Sequence, residues 1–270
     1  MSQLFSYLSI LPFELREKLL LLLPPKEIIS KVSQIEDFEK VGHRETFWER
    51  VWRKWFSPQL PNSLTVPLSK TIFSKVEKAQ RLTPEQLLKK GLSKGILFYV
   101  CEALEQKSYN SIEKDKALFL AAKNGHLSTV VYLVESGASI STRESKALRE
   151  AVYYGHLEIV KYLVESGAKI SARKDKALHL AVERGYLEIV KFLVESGAKI
   201  SARKDKALRD AAYYGYLNIV KYLVERGANI SARNNEALRW AAEKGYFEIV
   251  RYLIESGADP RALDEIIPPT

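Results

Sequence analysis

The chain repeats itself. The stretch KALHLAVERGYLEIVKFLVESGAKISARKD, Lys176 to Asp205, recurs at a period of 30 residues as Lys116–Ser145, Lys146–Asp175, Lys206–Asn235 and Glu236–Glu265. A fixed period between about 20 and 50 residues marks a solenoid, because one short unit cannot bury its own apolar face and must stack on its neighbours. Each copy begins after Asp115, Ser145, Asp175, Asp205 or Asn235, side chains that can accept a hydrogen bond from the free N–H groups of a helix start. A short helix follows, with Leu178 and Ala181 on one side, and Gly185 breaks it. Leu187, Ile189, Val190, Leu193 and Val194 then form an apolar stripe at helical spacing, with Glu188 and Lys191 paired on the outer face. Gly197 stops the second helix where a left-handed C-cap suits glycine, and Ala198–Lys204 leads to the next copy.

The pattern A-L-H-L-A at Ala177–Ala181, G-Y-L-E-I-V-K at Gly185–Lys191 and L-V-E-S-G-A at Leu193–Ala198 resembles the ankyrin repeat over about Thr83 to Glu265. Two departures stand out. Each copy is three residues shorter than the family's usual repeat, and Lys-Ala or Glu-Ala replaces the family's Thr-Pro. Such clipped repeats look like those of large DNA viruses. The missing residues fall in the connecting turn, so regular β-hairpin fingers are not expected.

Upstream, residues 86–115 hold a sixth, worn copy, with Gly95 and Leu88 one period before Gly125 and Leu118. Thr83-Pro84-Glu85-Gln86 is a capping box that opens it. Leu68–Arg81 carries Ile72, Phe73, Val76 and Ala79 on one face and reads as a connecting helix, preceded by the proline-rich stretch Ser57–Pro67. Residues 57–85 therefore form a joint, residues 86–265 the solenoid and residues 266–270 a tail.

Residues 1–56 do not repeat. Leu11-Pro12-Phe13-Glu14-Leu15, the apolar Leu19–Leu23, the break Pro24-Pro25 and Phe47-Trp48 before an aromatic and basic run resemble an F-box. The middle, Ile35-Glu36-Asp37-Phe38, departs from that family's pattern. The resemblance implies that Leu11, Pro12, Leu15, Leu19, Leu23, Pro24 and Trp48 shape a surface for a Skp1-like subunit of a ubiquitin ligase. The simpler alternative is a small helical domain whose aromatic residues are core. The expected fold class is all-α: an ankyrin-repeat solenoid with a small N-terminal helical F-box-like domain.

Composition narrows the function. One cysteine among 270 residues, Cys101, leaves no internal disulfide framework and fits a reducing compartment, so a cytoplasmic or nuclear location is expected, in a host cell if the chain is viral. The longest apolar run, Leu19–Leu23, is too short to span a bilayer, and no membrane association is expected. The net charge of +9 favours an acidic partner, but charges of both signs are mixed, unlike the basic stripe of a nucleic-acid binder. No phosphate-binding loop or zinc-helix motif occurs, and no cofactor or catalytic site is expected. His126 and His156 share a repeat position with Tyr186, Tyr216 and Tyr246, which suits packing and not metal ligation; His179 aligns with the resembling family's structural histidine.

Positions that change from copy to copy are free of packing duty. The two residues before each first glycine vary most: Lys123-Asn124, Tyr153-Tyr154, Glu183-Arg184, Tyr213-Tyr214 and Glu243-Lys244. In the resembling family these line the concave groove, so Tyr153, Tyr154, Arg184, Tyr213, Tyr214 and Lys244 are candidate contacts for a target protein. Arg143, Arg173, Arg203 and Arg233 recur at the turn and predict a basic ladder on the same binding surface. The expected function is recognition by a monomer that does no chemistry: an adaptor with a target protein in the groove and a Skp1-like partner on the head. A plain scaffold without the ubiquitin link and a weak nucleic-acid binder using the ladder are the alternatives.

Overall fold

The structure is a computed structural model; it describes residues 81–264, together with Val51 and four residues between 75 and 79. Leu11, Pro12, Leu15, Leu19, Leu23, Pro24 and Trp48 lie outside the described residues, as does the tail from 265. The chain divides into two compact units, one ending at Glu113 and the other starting at Lys114, and each is described by itself.

In the first unit, Val76 and Ala79 are helical and buried, as the stripe of the connecting helix predicts. Helices α1 (Pro84–Lys94) and α2 (Leu97–Gln106) then form a packed pair. Thr83 caps α1 as its sequence predicts: its hydroxyl accepts from the Gln86 N–H at 3.3 Å, and the Gln86 side chain accepts from the Thr83 N–H at 3.1 Å. Cys101 is buried in α2.

The second unit holds the regular copies. Helix α3 (Ser111–Lys123) leads into it and is followed by α4 (Leu127–Glu135), α5 (Thr142–Tyr153), α6 (Leu157–Glu165), α7 (Ala172–Glu183), α8 (Leu187–Glu195), α9 (Ala202–Tyr214), α10 (Leu217–Glu225), α11 (Ala232–Glu243) and α12 (Phe247–Glu255). A 3-10 turn, Pro260–Leu263, packs on α11 and closes the described chain. Among the described residues there is no strand, so the clipped turn indeed carries no hairpin. First helices pack on first helices (α5, α7, α9, α11) and second on second (α4 through α12). The shared core is Leu178, Ala181, Ile189, Val190 and Leu193 with their equivalents, Leu193, Leu163 and Leu223 being wholly buried.

The turn between copies is a single left-handed one. Arg203, Lys204 and Asp205 have φ of 56°, 60° and 53°, and Arg233, Asn234 and Asn235 repeat the run at 53°, 62° and 55°. Ser145, Arg173 and Asp175 are also left-handed. For L-residues this costs about 1–2 kcal/mol each, least for Asp and Asn, whose short polar side chains tolerate the region. That preference explains why Asp or Asn ends the turn in three copies.

The same residues correct the expectation of helix N-caps. The carboxylates or hydroxyl of Asp115, Ser145, Asp175, Asp205 and the Asn235 amide oxygen each accept from a backbone N–H 24 residues downstream: Ser139, Lys169, Lys199, Asn229 and Asp259, at 2.6, 3.0, 3.0, 3.0 and 3.3 Å. The side chain crosses its own helix pair to the loop after the second helix; Ser145, Asp175, Asp205 and Asn235 do so from a left-handed backbone, Asp115 without one. Each copy is thereby tied start to finish by one bond, part-buried in all but the Asp115 copy, which offsets part of the strain where the turn is left-handed. Lys204 is exposed, so replacing it by glycine removes strain without losing a contact. Lys204→Gly is expected to raise stability by about 0.5–1 kcal/mol in urea unfolding; a lowered midpoint would contradict the left-handed assignment.

Candidate protein-recognition site

Because the copies stack at a constant step, a residue lies beside its counterpart 30 positions away and diagonally beside the residue 31 away. The second relation builds the site. Gly155, Gly185 and Gly215 end the first helices with φ of 79°, 73° and 79°, and the rings of Tyr186, Tyr216 and Tyr246 press against them so closely that an added Cβ would lie 2.7–2.8 Å from a ring carbon. His156 covers Gly125 in the same way, and its Nε2 lies 3.0 Å from the Lys123 carbonyl oxygen. This bears out a packing role for the histidine and tyrosine position.

Just before these glycines stand the tyrosine pairs. Tyr153 and Tyr154 meet edge to face with centroids 5.0 Å apart, and Tyr213 and Tyr214 do the same at 5.0 Å. All four are about two-fifths exposed, at 39, 41, 38 and 43 %. Each pair draws cations from neighbouring copies. The Arg184 guanidinium lies 3.7 Å from the Tyr153 ring centre, the Lys123 ammonium 5.5 Å from Tyr154 and the Lys244 ammonium 4.8 Å from Tyr213. These are cation–π distances, and every one joins residues 31 apart. Tyrosine and its stacked cation thus come from different copies, and only the stack assembles them.

Trp240 is the member that sequence reasoning missed. Its ring meets Tyr213 at 5.4 Å, steeply inclined at 72°, with the Arg209 guanidinium 5.7 Å from the Trp240 ring centre. The signal was present: its repeat position reads Leu120, Glu150, Leu180, Asp210, Trp240, as variable as the tyrosine position.

Behind the row lies a half-buried charge network. Lys206 bonds Asp210 and approaches Glu183 at 3.9 Å, and Lys176 reaches Glu183 at 3.4 Å. Burial pushes the Asp210 carboxyl above the ordinary carboxylate range, against the pull of Lys206. Arg209 is buried and spans the left-handed turn: its Nε and Nη2 donate to the carbonyls of Lys204 and Arg203, both at 3.1 Å, and it pairs with Glu236. His179 holds the same repeat position one copy earlier, fully buried, with neither ring nitrogen hydrogen-bonded. Burial first, then the positive charges of Lys206, Arg203, Lys176 and Arg209, hold its pKa down at about 4.

The arginine ladder does not join the tyrosine row. Arg173, Arg203 and Arg233 are exposed at the start of the first helices, the tyrosines at their ends, about 13 Å of helix away. Arg203 also reaches back to donate to the Arg173 carbonyl at 3.1 Å, so part of the ladder secures successive turns. The Arg143 side chain lies outside the described residues. The placement of one arginine per turn follows from the left-handed loop, and the sequence's expectation of one shared surface is corrected accordingly.

Among the described residues no cluster of His, Cys, Asp and Glu is arranged to hold a metal ion, and no helix is long and apolar enough to cross a membrane. A family model described as ankyrin repeats, in three copies, matches residues 86–174 and 178–264, well over half of the chain. No curated protein matches the chain.

Proposed function

This chain belongs to the ankyrin-repeat family, whose arrays are protein-interaction scaffolds, and we propose that it is an adaptor that presents a bound target protein without performing chemistry on it. The observation that carries this reading is the row of exposed tyrosines with cations stacked on them, built only by the stacked copies. Tyrosine, tryptophan and arginine dominate protein interfaces because each offers a large, stiff contact area with a polar tip. Exposed aromatics whose neighbours hold them in place lose little entropy on binding.

The reading extends to the head. Leu11-Pro12-x-Glu14-Leu15 and Trp48 supply an F-box-like surface that takes a Skp1-like subunit, and in the sequence the proline-rich stretch 57–67 lies between it and the repeats. The adaptor then works in the cytoplasm or nucleus, in keeping with its single cysteine. The clipped repeats keep the resemblance to large-DNA-virus arrays, and a viral chain would act in its host.

The two halves are tested separately. Full-length protein is used to select from a displayed library of random 16-residue peptides. Peptides retained by the wild type and lost by Tyr153→Ala with Tyr213→Ala support the groove; a selection unaffected by the double variant contradicts it. For the head, a purified Skp1-like protein is expected to bind the intact chain, and Pro12→Ala with Leu15→Ala to weaken this while the repeats stay folded. No binding at tens of micromolar would leave a plain scaffold.

A further inference from the structure

We propose that the occupant of the tyrosine row is an acidic segment of the target, with carboxylate clusters spaced to meet Arg184 and Lys244. This deepens the protein-binding reading and rests on it.

Among the described residues, Lys123, Arg184 and Lys244 form no ion pair, whereas Glu183 in the same row is engaged by Lys176 and Lys206. The row thus presents three available cations and one available carboxylate, Glu243. An arginine laid against a tyrosine face keeps its in-plane N–H groups directed outward, already oriented to grip a carboxylate in two-point fashion. The ammonium groups of Lys123 and Lys244 over their rings likewise keep donors toward solvent. A carboxylate arriving here meets a cation whose side-chain freedom is already spent on the ring, so less entropy is lost on pairing than at a free surface lysine.

Arg184 ends α7 and Lys244 ends α11, two repeats apart. At about 8–10 Å per packed helix, the anchors lie about 16–20 Å apart. An extended chain covers that in about five or six residues at about 3.3 Å each. The fitting ligand is therefore an extended acidic segment with two carboxylate clusters that far apart, its intervening apolar groups meeting Tyr213, Tyr214 and Trp240.

A single-stranded nucleic acid is the competing polyanion, and the row is poorly built for it. Bases bind by stacking on open aromatic faces. Here Tyr153, Tyr154 and Tyr213 each have a face covered by the chain's own cation.

The test uses the full chain and the same random 16-residue library, followed by synthetic peptides. Selected sequences are expected to carry Asp or Glu clusters five or six residues apart. A synthetic representative should lose at least tenfold in affinity when its acids are changed to amides. Arg184→Gln with Lys244→Gln should cost a similar factor, while Arg251→Gln, on the outer helix α12, changes nothing. A fluorescent 20-nucleotide single-stranded DNA should bind more weakly than the peptide at the same salt. Selected peptides without acids, or peptides indifferent to the Arg184 and Lys244 changes but lost in the tyrosine variant, would overturn the acidic assignment and leave the protein-binding reading standing. Tighter binding of the DNA would overturn it in favour of nucleic acid. A selection indifferent to the tyrosines as well would bring down both.

Discussion

Leu193→Ala is expected to destabilise the repeats by about 2–5 kcal/mol. Leu193 is fully buried in α8, and its carbonyl accepts from the Ala198 N–H at 2.9 Å in the turn that follows. Helix α8 packs against α7 within its copy and against α6 and α10 in the copies on either side. Truncation therefore opens a cavity at the meeting of three elements, each held by its own next neighbour and unable to collapse inward. In a stack, stability is a sum of copy and interface contributions, so a middle copy weakened at both faces also weakens coupling along the array. Urea unfolding should show a midpoint shift of that size, with a broadened transition as cooperativity falls. A loss below about 0.5 kcal/mol would mean that Leu193 does not fill the core.

Acid should act through His179. Its pKa is about 4 in the folded chain against 6.5 for the free side chain. Between those values the unfolded chain binds more protons than the folded one, so stability rises with pH across the window. The contribution is complete above pH 6.5 and is lost as pH falls toward 4. At 1.36 kcal/mol for each pH unit of displacement, the full loss is about 3 kcal/mol. The cause is physical: a ring with no hydrogen-bond partner for either nitrogen, beside Lys176, Lys206, Arg203 and Arg209, has no means of stabilising a second proton. Other carboxylates titrate in the same range, so the comparison is with His179→Phe, a residue already standing at this position as Phe119. The wild type should lose about 3 kcal/mol more than the variant between pH 7 and pH 4. Parallel stability curves would contradict the burial of a neutral histidine.

The period of 30 residues makes the helices, the core leucines and the turn glycines legible before any coordinates, because stacking allows one answer to that pattern. The chemistry of Asp175 and Asp205 was legible as hydrogen-bond acceptance, but their partners were not. A helix cap is the local solution for such a residue, whereas here the side chain crosses its own helix pair to an N–H 24 residues away, a partner that nothing local in the sequence marks. The tyrosine row could be read from variation at one repeat position. Its stacked cations could not, because they depend on the diagonal between copies, and an argument by equivalent positions compares residues 30 apart while the contacts join residues 31 apart. Arg173 and Arg203 illustrate the converse: recurrence suggested one surface with the tyrosines, yet the length of the first helix places the two rows at its opposite ends. The F-box-like residues Leu11 to Trp48 stand on their motif alone.

Amide hydrogen exchange of the full chain with and without a selected peptide tests the central claim most directly. Binding in the tyrosine row should slow exchange at the ends of the first helices, at residues 151–156, 182–186, 212–216 and 242–246, and leave the outer helices Leu157–Glu165, Leu187–Glu195 and Leu217–Glu225 unchanged. Protection confined to those outer helices, or to the left-handed turns at Arg173 and Arg203, would contradict the account.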